Sequence, residues 1–446
     1  MEKSMTSGNP AKLIFLFAVP LIIGNVFQQL YMFVDTLIVG RTIGINALAA
    51  VGSTGSVMFF MMGFVIGTTA GFAIVTGHRY GAGDRAGIKR SVAACTVLGV
   101  ILSATLTAVG VLGAENALVL MQTPPEILED AKTFISIILG GMATTTFINM
   151  MSNIIRALGD SRTPLFFLIF GSIVNVILEF AFILGLGMGV AGAAWATVIA
   201  QLLGGILSLL YIKRHLPILH ISWSDIKAVT KKDLWEHIRV GLPMGFQASI
   251  IAIGAVLLQV ALNALGPSAI AAFAAAQKVE MIALMPMMSF GMAMAAYTAQ
   301  NFGAGNIARI QKGVRQCIMM SVSFSLVMAL VNWFFGAPMV RWFVGSEAEH
   351  VVSLAREYLV ITGCCYWILS LLFIYRYTLQ GMGKSAVPTF AGVMELIMRS
   401  AAAMMVMQGI LQFTGICIAS PMAWLGSMVP LLIAYYCGMR RLRVKA

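Results

Sequence analysis

Long apolar runs separated by short polar turns dominate the chain, and the length of each run decides what it is. A helix needs about 20 consecutive apolar residues to cross a bilayer, and twelve such runs can be marked along the 446 residues. Six lie near 13–39, 47–76, 91–112, 134–155, 164–186 and 190–212. Six more lie near 240–265, 269–299, 317–335, 358–378, 387–413 and 417–438. Apolar residues are continuous within a run and do not alternate, which excludes a transmembrane β-barrel. The pattern predicts an all-α polytopic membrane protein of twelve transmembrane helices. A longer polar stretch with Lys213, Arg214, Asp225, Lys231, Lys232 and Asp233 divides the runs six and six. It predicts a first lobe over 1–215, a cytoplasmic linker over 216–238 and a second lobe over 239–446. The first run follows a short polar start and is too long for a signal-peptide core, so it is expected to remain as a span.

The two halves repeat one another. Ile43-Gly44 to Ala49-Ala50, and then Tyr80-Gly81-Ala82-Gly83-Asp84, match Leu265-Gly266 to Ala271-Ala272 and Phe302-Gly303-Ala304-Gly305-Asn306 at a constant offset of 222. Leu158-Gly159-Asp160-Ser161 and Pro164 match Met382-Gly383-Lys384-Ser385 and Pro388 at an offset of 224, and Pro20 pairs with Pro243 at 223. Repeats of this kind are common in secondary transporters. With six spans in each half the repeats share one topology, so the expectation is two pseudo-symmetric bundles related by an axis along the membrane normal and enclosing a central cleft.

Composition then removes alternatives. Hydrophobic residues make up 59% and charged residues 10%, against roughly 45–50% and about 25% in soluble domains. Too little polar chain remains for a cytosolic enzyme, a large extracellular domain or a nucleotide-binding domain. The net charge of +12 would suggest nucleic acid if it were spread evenly. Instead 23 of the 29 Lys and Arg fall at the two termini and in the turns after even-numbered spans, Arg376 and Lys384 among them. The positive-inside rule therefore places both termini in the cytoplasm, and no nucleic-acid partner is needed. Cys95, Cys317, Cys364, Cys365, Cys417 and Cys437 show no CxxC spacing and read as buried small hydrophobes. His78, His215, His220, His237 and His350 fall at span ends or in loops, where solvated roles suit them.

Ionisable groups inside hydrocarbon are costly, so each is a functional hypothesis. Asp35 sits in FVDTL with Gln28 two helical turns earlier on the same face. Asn175 and Glu179 share a face of the fifth span at i, i+4, and Thr197 in the sixth span adds a hydroxyl if that hairpin packs closely. Two carboxylates, an amide and a hydroxyl form an all-oxygen set that can hold a proton or a hard cation such as Na+. A packing role for a solvated Asp35 and a neutral Glu179 is the alternative. In the second half Glu395 and Arg399 are spaced to pair as a packing staple. Lys278 and Glu280 point to different faces, and one of them is expected to line the cleft. The run Met281, Met285, Met287, Met288, Met292 and Met294 is a soft surface or lipid-facing filler. MGKS at Met382 to Ser385 is not a phosphate loop, because the first glycine of that motif would fall at Thr378. Nothing here signals an enzyme, a cofactor, a resident metal or a nucleotide.

Several motifs in order carry a resemblance: FVDTLIVGR, YGAGD, RALGDSRTP from Arg156 to Pro164, NVILEF followed by LGLGMGVAGAAWATVIAQ, and QNFGAGN. Together they resemble the multidrug and toxic compound extrusion (MATE) family over nearly the whole chain. The resemblance implies two six-helix lobes and an antiporter that exports organic cations or amphipathic toxins against inward H+ or Na+. It also implies a coupling-ion site at Asp35, Asn175, Glu179 and Thr197, with Gln28 in the same helix, and Glu179 stands where an Asp is common. The acids that other branches of the family carry in the second lobe correspond to Gln247 and Lys384, and the Lys278–Glu280 stretch is similar to a charged pair in the eighth helix of bacterial members. Gln28, Gln247, Lys278 and Glu280 are the cleft and substrate candidates. A flippase for a lipid-linked precursor is the runner-up, with a passive channel and an intramembrane enzyme behind it. The expected setting is a multi-pass monomer in a plasma membrane, with the bilayer and a small organic substrate as partners.

Overall fold

A computed structural model of the chain describes residues 4–345 and 348–445, with side chains to 442. The described residues are almost entirely helical and contain no strand. In order the helices are α1 (Pro10–Thr42), α2 (Ile45–Ser53), α3 (Gly55–Gly81), α4 (Arg85–Leu120), α5 (Pro125–Gly140), α6 (Met142–Ala157), α7 (Arg162–Phe180) and α8 (Gly189–His215). A short α9 (Trp223–Lys227) precedes α10 (Lys231–Asn263), α11 (Pro267–Gly303), α12 (Ile307–Val344), α13 (Glu349–Cys364), α14 (Tyr366–Gly381), α15 (Ala386–Met407) and α16 (Gln412–Lys445). Among the described residues ten helical segments are long and apolar enough to cross a bilayer singly. The pairs α5–α6 and α13–α14 are bent by 46° and 51°. Each of their four members has 16 residues, about 24 Å of helix and short of the ~30 Å hydrocarbon core. Taken as bent spans they bring the total to twelve.

The fourth and tenth apolar runs are therefore broken where hydropathy reads straight through. The first bend has a steric cause. A Cβ on Gly141 would lie 2.4 Å from Val198 Cγ2, so only a residue without a side chain lets α8 pack into the elbow. The second run also breaks, at Thr54 between α2 and α3, whose hydroxyl turns back to the Val51 carbonyl at 2.7 Å.

The backbone carries the repeat that the sequence shows. Gly83 and Gly305 end α3 and α11 in the left-handed region (φ 69° and 72°), and Gly159 and Gly383 end α6 and α14 the same way (φ 90° and 74°). In each case the amide three positions past the helix reaches back five residues: Asp84 to Arg79, Asn306 to Asn301, Asp160 to Ile155 and Lys384 to Leu379. These are Schellman closures, which favour glycine. The breaks at Gly141 and Cys365 keep the offset of 224.

The chain divides into two compact units, Val19–Gly245 and Met5–Ala18 with Phe246 onward. In the first unit, α3 and α10 cross at GxxxG sequences on both helices. A Cβ on Gly71 would meet Gly241 Cα at 2.4 Å, and one on Gly67 would meet the Met244 carbonyl at 2.5 Å. Small residues permit this approach, and close backbone packing replaces the hydrophobic drive that lipid removes. In the second unit, Val279, Tyr358, Leu359, Ala402, Ile416 and Cys417 join one buried cluster. Many large apolar side chains point outward, among them Leu112, Phe166, Phe334 and Trp342, as lipid-facing positions do.

Three expectations from the sequence are corrected. His237 is buried, 1% exposed. Its Nδ1 lies 2.7 Å from the Asp233 carbonyl and its Nε2 2.8 Å from Ser91 Oγ. A carbonyl only accepts, so Nδ1 donates, and Nε2 accepts from the serine hydroxyl. Of the six cysteines, Cys95, Cys317 and Cys417 are buried, but Cys364 and Cys437 are exposed and Cys365 is half-buried, because their helices turn those faces outward. Arg376, counted with a polar turn, lies inside α14 and is buried.

Candidate functional site

The first unit brings together the α1, α7 and α8 groups that stand out in the sequence. Asn175 and Glu179, one turn apart on α7, are both buried (2% and 0% exposed), while Asp35 on α1 and Thr197 on α8 are half-buried. Asn175 Nδ2 donates to Thr197 Oγ1 at 3.2 Å, and the Thr197 hydroxyl donates to the Ala193 carbonyl at 3.1 Å. That hydroxyl therefore both accepts from α7 and donates to its own helix, which fixes the α7–α8 register at this level.

The Asp35 carboxyl lies beside that of Glu179. Both Glu179 oxygens and Asn175 Oδ1 are buried, and none of the three has a partner among the described hydrogen bonds. Adjacent carboxyl groups in low dielectric repel when both are ionised, and unpaired buried oxygens are costly. Such an arrangement calls for a positive charge between the two acids, either a proton or a metal cation. Among the described residues no three His, Cys, Asp or Glu side chains converge. A metal cation here would rest on two carboxylates with amide and hydroxyl oxygens, a hard all-oxygen set.

Local structure holds the site. Beyond Phe180, α7 widens into a π-helical turn over Ala181–Gly185, a distortion frequent at functional positions. Ile38, Val39, Phe134, Ile138, Ile183, Val190 and Val198 pack into one buried cluster at this end. Tyr31, which the sequence reading passed over, lies beside Asp35, Glu179 and Thr197. The signal was its place one turn before Asp35 on the same helix face. Gln28 is exposed and has no contact with this group among the described hydrogen bonds.

The second unit holds the remaining ionisable groups. Glu395 accepts from Arg376 Nη2 at 2.8 Å through one oxygen and from Arg399 Nη2 at 3.1 Å through the other. Arg376 also donates to Ser427 Oγ at 3.2 Å. The expected pair is thus a triad, and its third member could not be found by helical spacing. Glu280 is buried and accepts from Tyr358 OH at 2.8 Å. Lys278 is exposed. Gln247 is buried and accepts from Gln380 Nε2 at 2.8 Å. In the methionine run Met287 and Met294 are buried, while Met281 and Met288 are exposed, so it forms no single surface. Lys384, in the turn after α14, has its ammonium pushed below the usual lysine range by partial burial and by Arg441 nearby.

Comparison with known proteins follows the same division. The MatE family profile matches residues 20–181 and again 243–405. The chain is 28% identical over 382 residues to a probable multidrug resistance protein, YpnP, of Bacillus subtilis, covering 85% of this chain and 84% of that one. It is 24% identical to a probable multidrug resistance protein, NorM, of Thermotoga maritima, covering 83% and 80%. Among solved structures, a MATE protein in complex with MaL6 superposes with a TM-score of 0.88 at 22% identity, over 99% of this chain and 98% of that one.

Proposed function

The chain belongs to the MatE family of multidrug efflux transporters, and on that footing we propose that it couples export to the first-unit carboxyl pair. It is a membrane-embedded secondary antiporter that moves small organic compounds. The coupling ion is H+ or Na+, held by Asp35 and Glu179 with Asn175 and Thr197 completing the oxygen set. What supports this reading is the pairing of the Asp35 and Glu179 carboxyl groups, with both Glu179 oxygens and Asn175 Oδ1 buried and unpaired among the described hydrogen bonds.

In this scheme an organic cation and the coupling ion compete for the same negative charge. Entry of H+ or Na+ neutralises the carboxylates and releases the cation outward. The exchange works only if the two ligands favour different conformations, since a ligand with equal affinity for both shifts nothing. The proposed setting is a plasma membrane with both termini cytoplasmic, following the sorting of Lys and Arg.

The test is uptake of a fluorescent organic cation into proteoliposomes, driven separately by an imposed pH gradient and an imposed Na+ gradient. Concentrative uptake under one gradient names the ion. Equilibration without concentration would turn the reading toward a passive channel.

A further inference from the structure

The turns that open α7 and α15 are copies of one another that differ in the residue meeting the helix start. The offset of 224 carries Asp160, Ser161, Arg162, Thr163 and Pro164 onto Lys384, Ser385, Ala386, Val387 and Pro388. In the first unit the Asp160 carboxylate fills the N-terminus of α7. One oxygen accepts from the Arg162 and Thr163 amides at 2.9 and 3.1 Å, and the other accepts from the Thr163 hydroxyl at 2.6 Å. The unpaired amides and the dipole of a first turn favour an anion at that place. Gly159 and Gly383 shape both turns alike (φ 90° and 74°), so the second unit presents the same backbone cradle. There a lysine stands where the aspartate stood, and the Ala386 and Val387 amides have no acceptor among the described hydrogen bonds.

Three further groups stand at or beside the start of α15. Ser385 is its N-cap residue, yet its hydroxyl caps no amide: it is buried, 1% exposed, and has no partner among the described hydrogen bonds. The Lys384 ammonium lies against α16, where a Cβ on Gly438 would stand 2.7 Å from Nζ. Arg441 follows Gly438 by three residues, on the same face of α16. Partial burial and the repulsion of Arg441 together hold the Lys384 ammonium below the usual lysine range, and no carboxylate acts against them. Neither cation enters an ion pair among the described residues. The MGKS run lacks the spacing of a nucleotide loop, but its last two residues are the ones placed here. Free amides, an idle hydroxyl and two unbalanced cations at one helix start fit an anion with several acceptor oxygens.

The turn ends one membrane span and begins the next, and α16 is itself a span. Their ends therefore lie at the membrane surface, where the phosphates at hand are lipid headgroups and basic clusters recognise them. Ala386 and Arg440 are exposed, so the cradle is open on one side and a third cation borders it. We propose that the α14–α15 turn and the end of α16 form a headgroup site for one anionic phospholipid, whose phosphate takes at α15 the place that the Asp160 carboxylate takes at α7. The Ala386 and Val387 amides and the Ser385 hydroxyl hold the phosphate oxygens, while Lys384 and Arg441 balance their charge. The bound headgroup ties the turn to the end of α16.

The test uses the full chain in detergent, with phosphatidylglycerol or phosphatidylcholine added in steps and bound lipid counted by native mass spectrometry. Wild type is expected to take one phosphatidylglycerol in preference to phosphatidylcholine. Lys384→Asp gives the second unit the internal carboxylate of the first, so it should keep its melting temperature and lose the preference. Lys384→Gln and Arg441→Gln should each weaken phosphatidylglycerol by about tenfold, the scale of one charge-assisted hydrogen bond, and they carry the test if the Asp variant does not fold. Lys231→Asp makes the same charge change at an exposed position of the first unit and should leave binding within about twofold, as an isolated surface charge does. A preference that survives in all three site variants, or one that Lys231→Asp weakens equally, would overturn the proposal. So would displacement of the lipid by inorganic phosphate at equal concentration, which would make a soluble anion the occupant.

Discussion

Asn175 and Thr197 are joined across the α7–α8 hairpin by a 3.2 Å hydrogen bond in which the amide donates. The bond engages the amide nitrogen, while Asn175 Oδ1 is buried with no partner among the described hydrogen bonds. Thr197→Val removes the acceptor while keeping the shape. The expected result is a roughly tenfold weaker apparent affinity for the coupling ion, about the value of one hydrogen bond to a group that orients a charged site, with the maximal rate little changed. Initial uptake rates against ion concentration check this, and an unaltered half-saturation would count against Thr197 as an organiser of the site.

The Gly71–Gly241 crossing predicts a sharp steric limit. Gly241→Ala would bring a methyl to 2.4 Å from Phe72 Cδ1 and 2.7 Å from the Thr68 carbonyl. Overpacking of this kind costs about 1–3 kcal/mol, and backbone cannot yield as a side-chain tip can. A lower melting temperature in detergent is expected for Gly241→Ala, whereas Gly113→Ala, whose Cβ meets nothing within 4 Å, should melt as wild type does.

Much of the fold was legible because the features that shape it are written locally. The left-handed glycines 83, 159, 305 and 383 stand in the repeated motifs, and a conformation that favours glycine leaves a mark in sequence. Asp35 and Glu179 were conspicuous as carboxylates in apolar surroundings, yet only the fold places them side by side. The bend at Gly141 was hidden because its cause is Val198, 57 residues away. Arg376 was hidden for the same reason. Its partners Glu395 and Ser427 lie 19 and 51 residues on, beyond any helical period. His237 looked solvated because polar residues surround it in sequence, while its hydroxyl partner Ser91 is 146 residues earlier.

Glu395 predicts a stability effect. Removing it as Glu395→Ala leaves the buried Arg376 and the partly buried Arg399 without their shared counter-ion, and breaking a buried ion pair costs about 3–5 kcal/mol. Glu395→Gln keeps an acceptor but not the charge and should fall between. Thermal unfolding of the purified variants in one detergent ranks them. If Glu395→Ala melted with wild type, the triad would carry no structural weight.

Acid should loosen the linker. Asp225 closes a capping box with Ser222 at the start of α9, and the Ser222 hydroxyl and backbone N–H hold its carboxyl below the usual value of 3.8. A carboxylate whose folded pKa is depressed supports its structure above the unfolded pKa and loses that support as pH falls through the folded value. Amide exchange over residues 222–228, corrected for intrinsic rates, should therefore stay slow at neutral pH and speed up below about pH 4. Asp225→Asn should remove the pH dependence.

Asp35 carries the central claim, because it is the acid that meets Glu179 from another helix. The decisive measurement is concentrative uptake of a fluorescent organic cation in proteoliposomes under the driving gradient, wild type beside Asp35→Asn and Glu179→Gln at matched reconstitution. Coupling at the first-unit carboxyl pair predicts that both variants elute as folded protein and fall to the rate of protein-free vesicles. Uptake at the wild-type rate in Asp35→Asn would contradict it.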